Sequence, residues 1–228
     1  MEILDNFAVL EGIDGSGTST QIALLGEKFT LHRLQKPSFY PTFEPTDGVI
    51  GRLIRSALKN TPPLQAETLA RLFAADRNEH LFAPGGIVER CRQGELVVCD
   101  RYVLSSLAYQ GIECGPDLPA GLNSAFPAPE LLLFFDIDPS VSLERLSGRA
   151  SLEIFEHLEF QKKVRERYLS LLDGYRNAGI RVELIDAAQT VEKVAAEVWR
   201  ALLKMPILKQ IRNEGLGIRN EEDYVKIN

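Results

Sequence analysis

Short runs dominated by apolar residues recur along the chain at 7–11 (FAVLE), 96–100 (LVVCD), 131–137 (LLLFFDI) and 181–185 (RVELI). Continuous apolar stretches of this length, with no strict apolar and polar alternation, are expected of strands covered on both faces. Between them, apolar residues return at helical spacing: Ile22, Leu25 and Phe29; Ile50, Leu53, Ile54, Ala57 and Leu58; Val191, Val194, Val198 and Leu202. Strand and helix alternating in this way predict an α/β fold, a parallel sheet sandwiched by helices. A fifth strand is expected at 39–44, where Pro37 and Pro41 point to an edge or a loop. Asp138 before Pro139 reads as an N-cap with proline in the first turn of a helix that carries Leu143, Leu146 and, four apart on one face, Arg145 and Arg149. A longer helix is predicted over 156–176, with Phe160, Val164, Tyr168 and Leu171 inward. After Pro206 the chain turns polar, with Gly215 and Gly217, so a single domain over 1–204 and an extension over 205–228 are expected.

Composition narrows the classes. The 228 residues are 45% hydrophobic and 25% charged, which are globular proportions. Against 26 basic residues stand 32 acidic ones, a net charge of −6, so no broad positive field draws the chain onto nucleic acid or anionic lipid. Any phosphate must be held locally. The longest apolar stretch falls far short of the ~20 residues of a bilayer crossing, and the start MEILDN lacks the basic and apolar regions of a secretion signal, so a cytoplasmic location is expected. Cys91, Cys99 and Cys114 form no CxxC pair and have no neighbouring histidine cluster, which argues against a disulfide framework and a zinc site.

Directly after the first strand comes EGIDGSGTSTQ, with Gly12, Gly15 and Gly17 ahead of a helix that begins near Thr18. A strand, a glycine turn and a helix N-terminus aim backbone N–H groups and a positive dipole end at one point, where an anion fits. The spacing matches the P-loop GxxxxGK[S/T] at Gly12, Gly17 and Ser19, but Thr18 stands at the lysine position. Threonine donates a hydrogen bond there and brings no charge.

The segment LFAADRNEH (72–80) followed by VVCDRYVLSSLAYQG (97–111) resembles the thymidylate kinase family of P-loop nucleoside monophosphate kinases. The resemblance covers about 7–203 and includes FEP (43–45), DxDP (136–139), ERxxxR (144–149) and Ile185-Asp186-Ala187. It implies a three-layer α/β/α sandwich around a five-stranded parallel sheet. The activity implied is transfer of the ATP γ-phosphoryl group to dTMP, giving dTDP and ADP, with Mg²⁺ and generally in a homodimer. Such a reaction has a charge-spread transition state, served by alignment and positive charge.

The resemblance also implies roles for residues. ATP would lie on Gly12, Gly15, Ser16, Gly17, Thr18, Ser19 and Thr20, its adenine against Arg145 and the loop holding Ala187 and Gln189. Ser19 and Asp100 would hold Mg²⁺. Arg77 and Arg101 would grip the dTMP phosphate, Phe73 would stack on thymine, and Gln110 would read the base edge. Tyr102 would crowd the ribose 2′ position, Asp14 would lie near the 3′-hydroxyl, and Glu44 and Pro45 would complete the acceptor site. Asp14, Arg101, Arg145 and Arg149 are the expected catalytic set, with a lid over 147–157.

The chain departs from the family pattern at Thr18, at Glu153-Ile154-Phe155-Glu156, where the lid commonly carries DRxE, and at Phe43, where many bacterial relatives have arginine. Loss of one charged group beside a transferring phosphoryl commonly costs on the order of 10²-fold in rate. From the sequence, a weakened nucleotide-binding protein and a kinase for another nucleotide therefore remain alternatives.

Overall fold

The computed structural model describes residues 2–31, 37–59, 64–146 and 158–209. Five strands, β1 (Ile3–Gly12), β2 (Phe39–Phe43), β3 (Leu96–Asp100), β4 (Ala128–Asp136) and β5 (Arg181–Asp186), form one sheet in the order β2-β3-β1-β4-β5. Every pairing is parallel. The helices are α1 (Thr18–Leu31), α2 (Val49–Lys59), α3 (Ala66–Phe82), α4 (Ile87–Arg92), α5 (Val103–Glu113), α6 (Asp117–Asn123), α7 (Pro139–Leu146), α8 (Leu158–Asn177) and α9 (Val191–Leu202).

The three central strands carry the apolar runs because both of their faces are covered. Side chains of β1 and β3 alternate between two clusters: Ala8, Leu10, Leu96 and Val98 join the larger one, Phe7, Val9, Val97 and Cys99 the smaller. The predicted fifth strand is real and lies at the sheet edge, where Pro41 needs no ladder partner for its missing N–H. Strand β1 starts earlier than its apolar run. Ile3 and Leu4 pair with Ala128 and Pro129, and the register then shifts before Ala8. Asn6 sits in that irregularity at φ 65, donating its N–H to Glu130 and its side-chain amide to the Cys91 carbonyl.

Asp138 caps α7 as expected, accepting the Ser140 N–H at 2.8 Å. Helix α8 matches the predicted long helix, with Val164, Tyr168 and Leu172 inward and Phe160 and Leu171 only partly covered. Of the apolar residues at helical spacing, Leu53 of α2 and Val191 in the first turn of α9 are exposed. The domain boundary is corrected too. Met205 and Leu208 are fully buried in the main cluster, so the fold continues past 204; residues 210–228 lie outside the described ones. Cys91 and Cys99 are buried free thiols and Cys114 is a half-buried one.

Candidate active site at the carboxyl ends of the central strands

The turn from β1 to α1 is shaped by its glycines. Ser16 N–H bonds to the Ile13 carbonyl at 3.1 Å, closing the turn. A Cβ on Gly12 would lie 2.5 Å from Ser16 Oγ. Gly15 has φ +79, and a Cβ there would meet the Ser142 carbonyl of α7 at 2.5 Å, so only glycine lets the turn lie against α7. The N–H groups of the first turn of α1 have no acceptor within the helix and face outward. Gly17, at φ +96, precedes that helix; Ser16 and Thr18 are buried, Ser19 and Thr20 exposed.

Ser19 Oγ donates to Asp100 Oδ2 at 2.5 Å, while Asp100 Oδ1 is buried without a partner. An unpaired carboxylate oxygen beside a hydroxyl is a hard donor set that suits Mg²⁺.

Beside this pair lies a cavity of about 570 Å³. It brings together Asp14, Glu44, Pro45, Phe73, Arg77, Arg101, Tyr102 and Gln110, with Ser19 and Asp100 at its rim. Elsewhere in the fold are the other expected residues. Arg145 is exposed on α7. Past β5, the Ala187 N–H is engaged by the Asp136 carbonyl, and Gln189 donates to Glu197. Arg149 and the expected lid, 147–157, lie outside the described residues.

The two arginines of the cavity differ in what they have left to offer. Arg101 has φ 68, donates its N–H to the Leu10 carbonyl at 2.9 Å and pairs through Nη2 with Asp14 Oδ1. Burial is the largest single influence and disfavours its charge, but Asp14 together with Tyr109, Tyr168 and Asp100 more than offsets it, and the pKa is raised. Asp14 Oδ2 also accepts from Gln161 Nε2 of α8 at 3.0 Å. Arg77 is 1% exposed. Its Nε and Nη2 bond to Glu44, and its Nη1 bonds to Ser106 and Asn123. Glu44 in turn meets His80 Nδ1 at 3.1 Å, whose other nitrogen lies 2.6 Å from Thr42 Oγ1.

Tyr102 lines the cavity, with its hydroxyl donating to the Pro127 carbonyl at 2.9 Å and its ring packed edge-on against Phe7. Tyr109, which the sequence reading passed over, lines the cavity under the Arg101 guanidinium, 5.4 Å from the ring centroid. Its signal was available, since it directly precedes Gln110 in the same AYQG stretch. Arg55 was also missed. From α2 it reaches the Phe43 ring at 5.7 Å and donates to the Pro45 and Thr46 carbonyls, which brings a guanidinium to the strand end where the chain has phenylalanine.

Comparison with known proteins agrees with this geometry. A protein of Treponema pallidum named thymidylate kinase is 40% identical over 212 residues, covering 92% of this chain and all of that protein. One of Pyrobaculum aerophilum is 40% identical over 193 residues, or 84% of this chain and 93% of its own length. A third, from Methanococcus maripaludis, is 42% identical over 172 residues, 75% and 79% of the two chains. The family model described as thymidylate kinase matches residues 10–198, a span that begins two residues before the glycine turn and ends within α9, and the chain belongs to that family.

Proposed function

We propose that the protein transfers the γ-phosphoryl group of ATP to the 5′-phosphate of dTMP, producing dTDP and ADP. One observation carries this reading beyond the family: a cavity abuts the glycine turn, and Arg101, which lines it, is tied to that turn through Asp14.

The donor inventory assigns the ends of the acceptor. A guanidinium has five N–H groups. Four of those on Arg77 are engaged by Glu44, Ser106 and Asn123, which leaves one on Nη2. A single N–H cannot form a two-pronged contact with a phosphate, but it suits a carbonyl oxygen such as thymine O4. Gln110 Oε1, buried and unpartnered, suits the thymine N3–H. Phe73 lies one helical turn before Arg77 and offers its ring to the base. We therefore place the base at Arg77 and Gln110, and the phosphate at Arg101 with Arg55 nearby. Tyr102 and Tyr109 face the sugar.

Both oxygens of Asp14 are engaged, so it acts by holding Arg101 in line. On the donor side, Gly12 to Thr20 supply backbone N–H groups to the triphosphate, and Ser19 and Asp100 would hold Mg²⁺. When bound, that ion neutralises charge on the outer phosphate oxygens. Arg145 and Arg149 remain the candidates for charge from the lid side, with Ala187 and Gln189 flanking adenine.

We also infer a second copy of the chain on the outer face of α2, where Val49 and Leu53 are exposed; light scattering of the purified protein checks this. Among the described residues no helix is long and apolar enough to cross a membrane, and use of ATP fits a cytoplasmic setting. The test of the activity is ADP release with ATP, Mg²⁺ and a panel of monophosphates. Turnover with dTMP is expected. Binding of both nucleotides without turnover would favour a protein that has lost catalysis, and a preference for AMP would favour another acceptor.

A further inference from the structure

Glu11 is fully buried beside Gly12, does not line the cavity, and has no part in the chemistry above. Its carboxylate nevertheless accepts from two helices. Oε1 takes the N–H groups of Tyr102, just before α5, at 2.9 Å and of Ser105, in its first turn, at 3.2 Å. Oε2 takes Ser105 Oγ at 2.6 Å and Tyr168 Oη of α8 at 3.1 Å, and those hydroxyls lie 2.7 Å from each other. A buried carboxylate is costly unless its oxygens are satisfied, and here each oxygen accepts from more than one donor.

Helix α5 needs such an acceptor. Its N-cap is Tyr102, whose side chain makes no capping bond. The N–H of the cap residue and that of Ser105 in the first turn are instead held by a carboxylate from β1. The residue before the cap is Arg101, in the left-handed region that an L side chain rarely adopts. Its own N–H is fixed on Leu10 and the next N–H on Glu11, so the strained peptide is held at both ends by β1.

We propose that Glu11 is a positioning residue: it locks the first turn of α5, and through that turn aims the Arg101 guanidinium at the acceptor phosphate, while Tyr168 ties the same lock to α8. The proposal rests on the acceptor site described above. Helix α8 also carries Gln161, which holds Asp14, the partner of Arg101. Arg101 is thus braced by Glu11 from behind and by Asp14 and Gln161 in front.

Glu11→Gln keeps the size and one accepting oxygen but removes the negative charge and turns the other acceptor into a donor, so the Ser105 and Tyr168 hydroxyls must turn to accept from it and the charge-assisted bonds are lost. Tyr168→Phe removes one donor only and serves as the second variant should the first not fold. Val164→Ala, on the buried face of α8, is the control for general destabilisation. Three quantities are read: amide exchange at Tyr102 and Ser105 in the free protein, calorimetric affinity for dTMP, and steady-state kinetics in each substrate. For Glu11→Gln, exchange at both amides accelerates about tenfold or more and dTMP affinity falls about tenfold, while KM for ATP stays within about twofold. Tyr168→Phe moves in the same direction by less, and Val164→Ala lowers Tm without the acceptor-specific loss. Unchanged exchange and dTMP affinity in Glu11→Gln overturn the proposal, as does a Val164→Ala protein that reproduces the acceptor-specific loss. Should the wild type neither bind nor turn over dTMP, the functional reading fails by itself. Exchange at Tyr102 and Ser105 then decides the anchor: acceleration in Glu11→Gln supports it and no change removes it.

Discussion

At Thr18 the missing charge and the buried setting pull in opposite directions. A lysine would restore an ammonium beside the outer phosphates, but Thr18 is already 8% exposed in the first turn of α1. Thr18→Lys is therefore expected to change kcat by less than about tenfold; a gain of about 10²-fold or more would mean that the position is simply deficient. At Gly15 the outcome is one-sided. An alanine would face both a positive φ and the Ser142 carbonyl, so Gly15→Ala should lower Tm and weaken ATP binding together, read by thermal melting and nucleotide titration. Glu11 gives a pH signature. Burial raises its carboxyl above the usual carboxylate range, so the unfolded chain releases this proton first as pH climbs past about 4.5. The folded state then binds more protons, and stability from this group, present at low pH, is lost as pH rises through the folded value. Relative to wild type, Glu11→Gln should gain Tm as pH goes from about 4 to about 7. Of these residues, the glycine turn was readable directly, because backbone geometry there demands a residue type. The engagement of Arg77 was not, since it depends on Glu44, Ser106 and Asn123, which only the fold brings together.

Among the elements, the strands covered on both faces announced themselves, as did β5 at one edge, while the other edge and the short helices did not. Strands β1, β3 and β4 read as apolar runs; β2, with Pro41 and half-exposed side chains, read as weak because an edge strand is neither fully apolar nor alternating. The short helices α4 and α6 left no clear period, having too few turns to show one. The loop from β2 to α2 shows how separate elements build the acceptor site. Thr46 docks directly over Gly51 of α2, where a Cβ would lie 1.9 Å from the Thr46 carbonyl. Asp76 of α3 accepts the Thr46 N–H and hydroxyl, each at 2.7 Å, and Arg55 grips the same loop from α2. Gly51→Ala must push this loop away and carry Glu44 and Pro45 with it. The expected result is an increase of about tenfold in KM for dTMP with KM for ATP nearly unchanged, measured with each substrate varied in turn.

For the whole molecule, strand order decides that two substrates share one wall. From β1 the chain moves out to β2 at one edge, and from β3 it crosses to β4 on the other side, so neighbouring strands β1 and β3 leave the sheet in opposite directions. The crevice above their carboxyl ends is where an open α/β sheet binds ligands. The end of β3 serves both halves of it: Asp100 faces Ser19 on the donor side, and Arg101, the next residue, faces Asp14 on the acceptor side. The halves are adjacent in sequence yet separable in chemistry, because none of the contacts assigned to the base and the acceptor phosphate uses the oxygens of Asp100. Chelating Mg²⁺ with EDTA should therefore abolish turnover while leaving dTMP affinity within about threefold, read by calorimetry. Asp100→Asn should behave in the same way, lowering kcat about 10²-fold or more with little effect on dTMP binding. Arg101→Lys should do the reverse to binding, since an ammonium cannot replace a guanidinium held by Asp14 and aimed at a phosphate. Loss of dTMP affinity in Asp100→Asn as large as that in Arg101→Lys would mean that the metal bridges both nucleotides, and that the division at the end of β3 lies elsewhere.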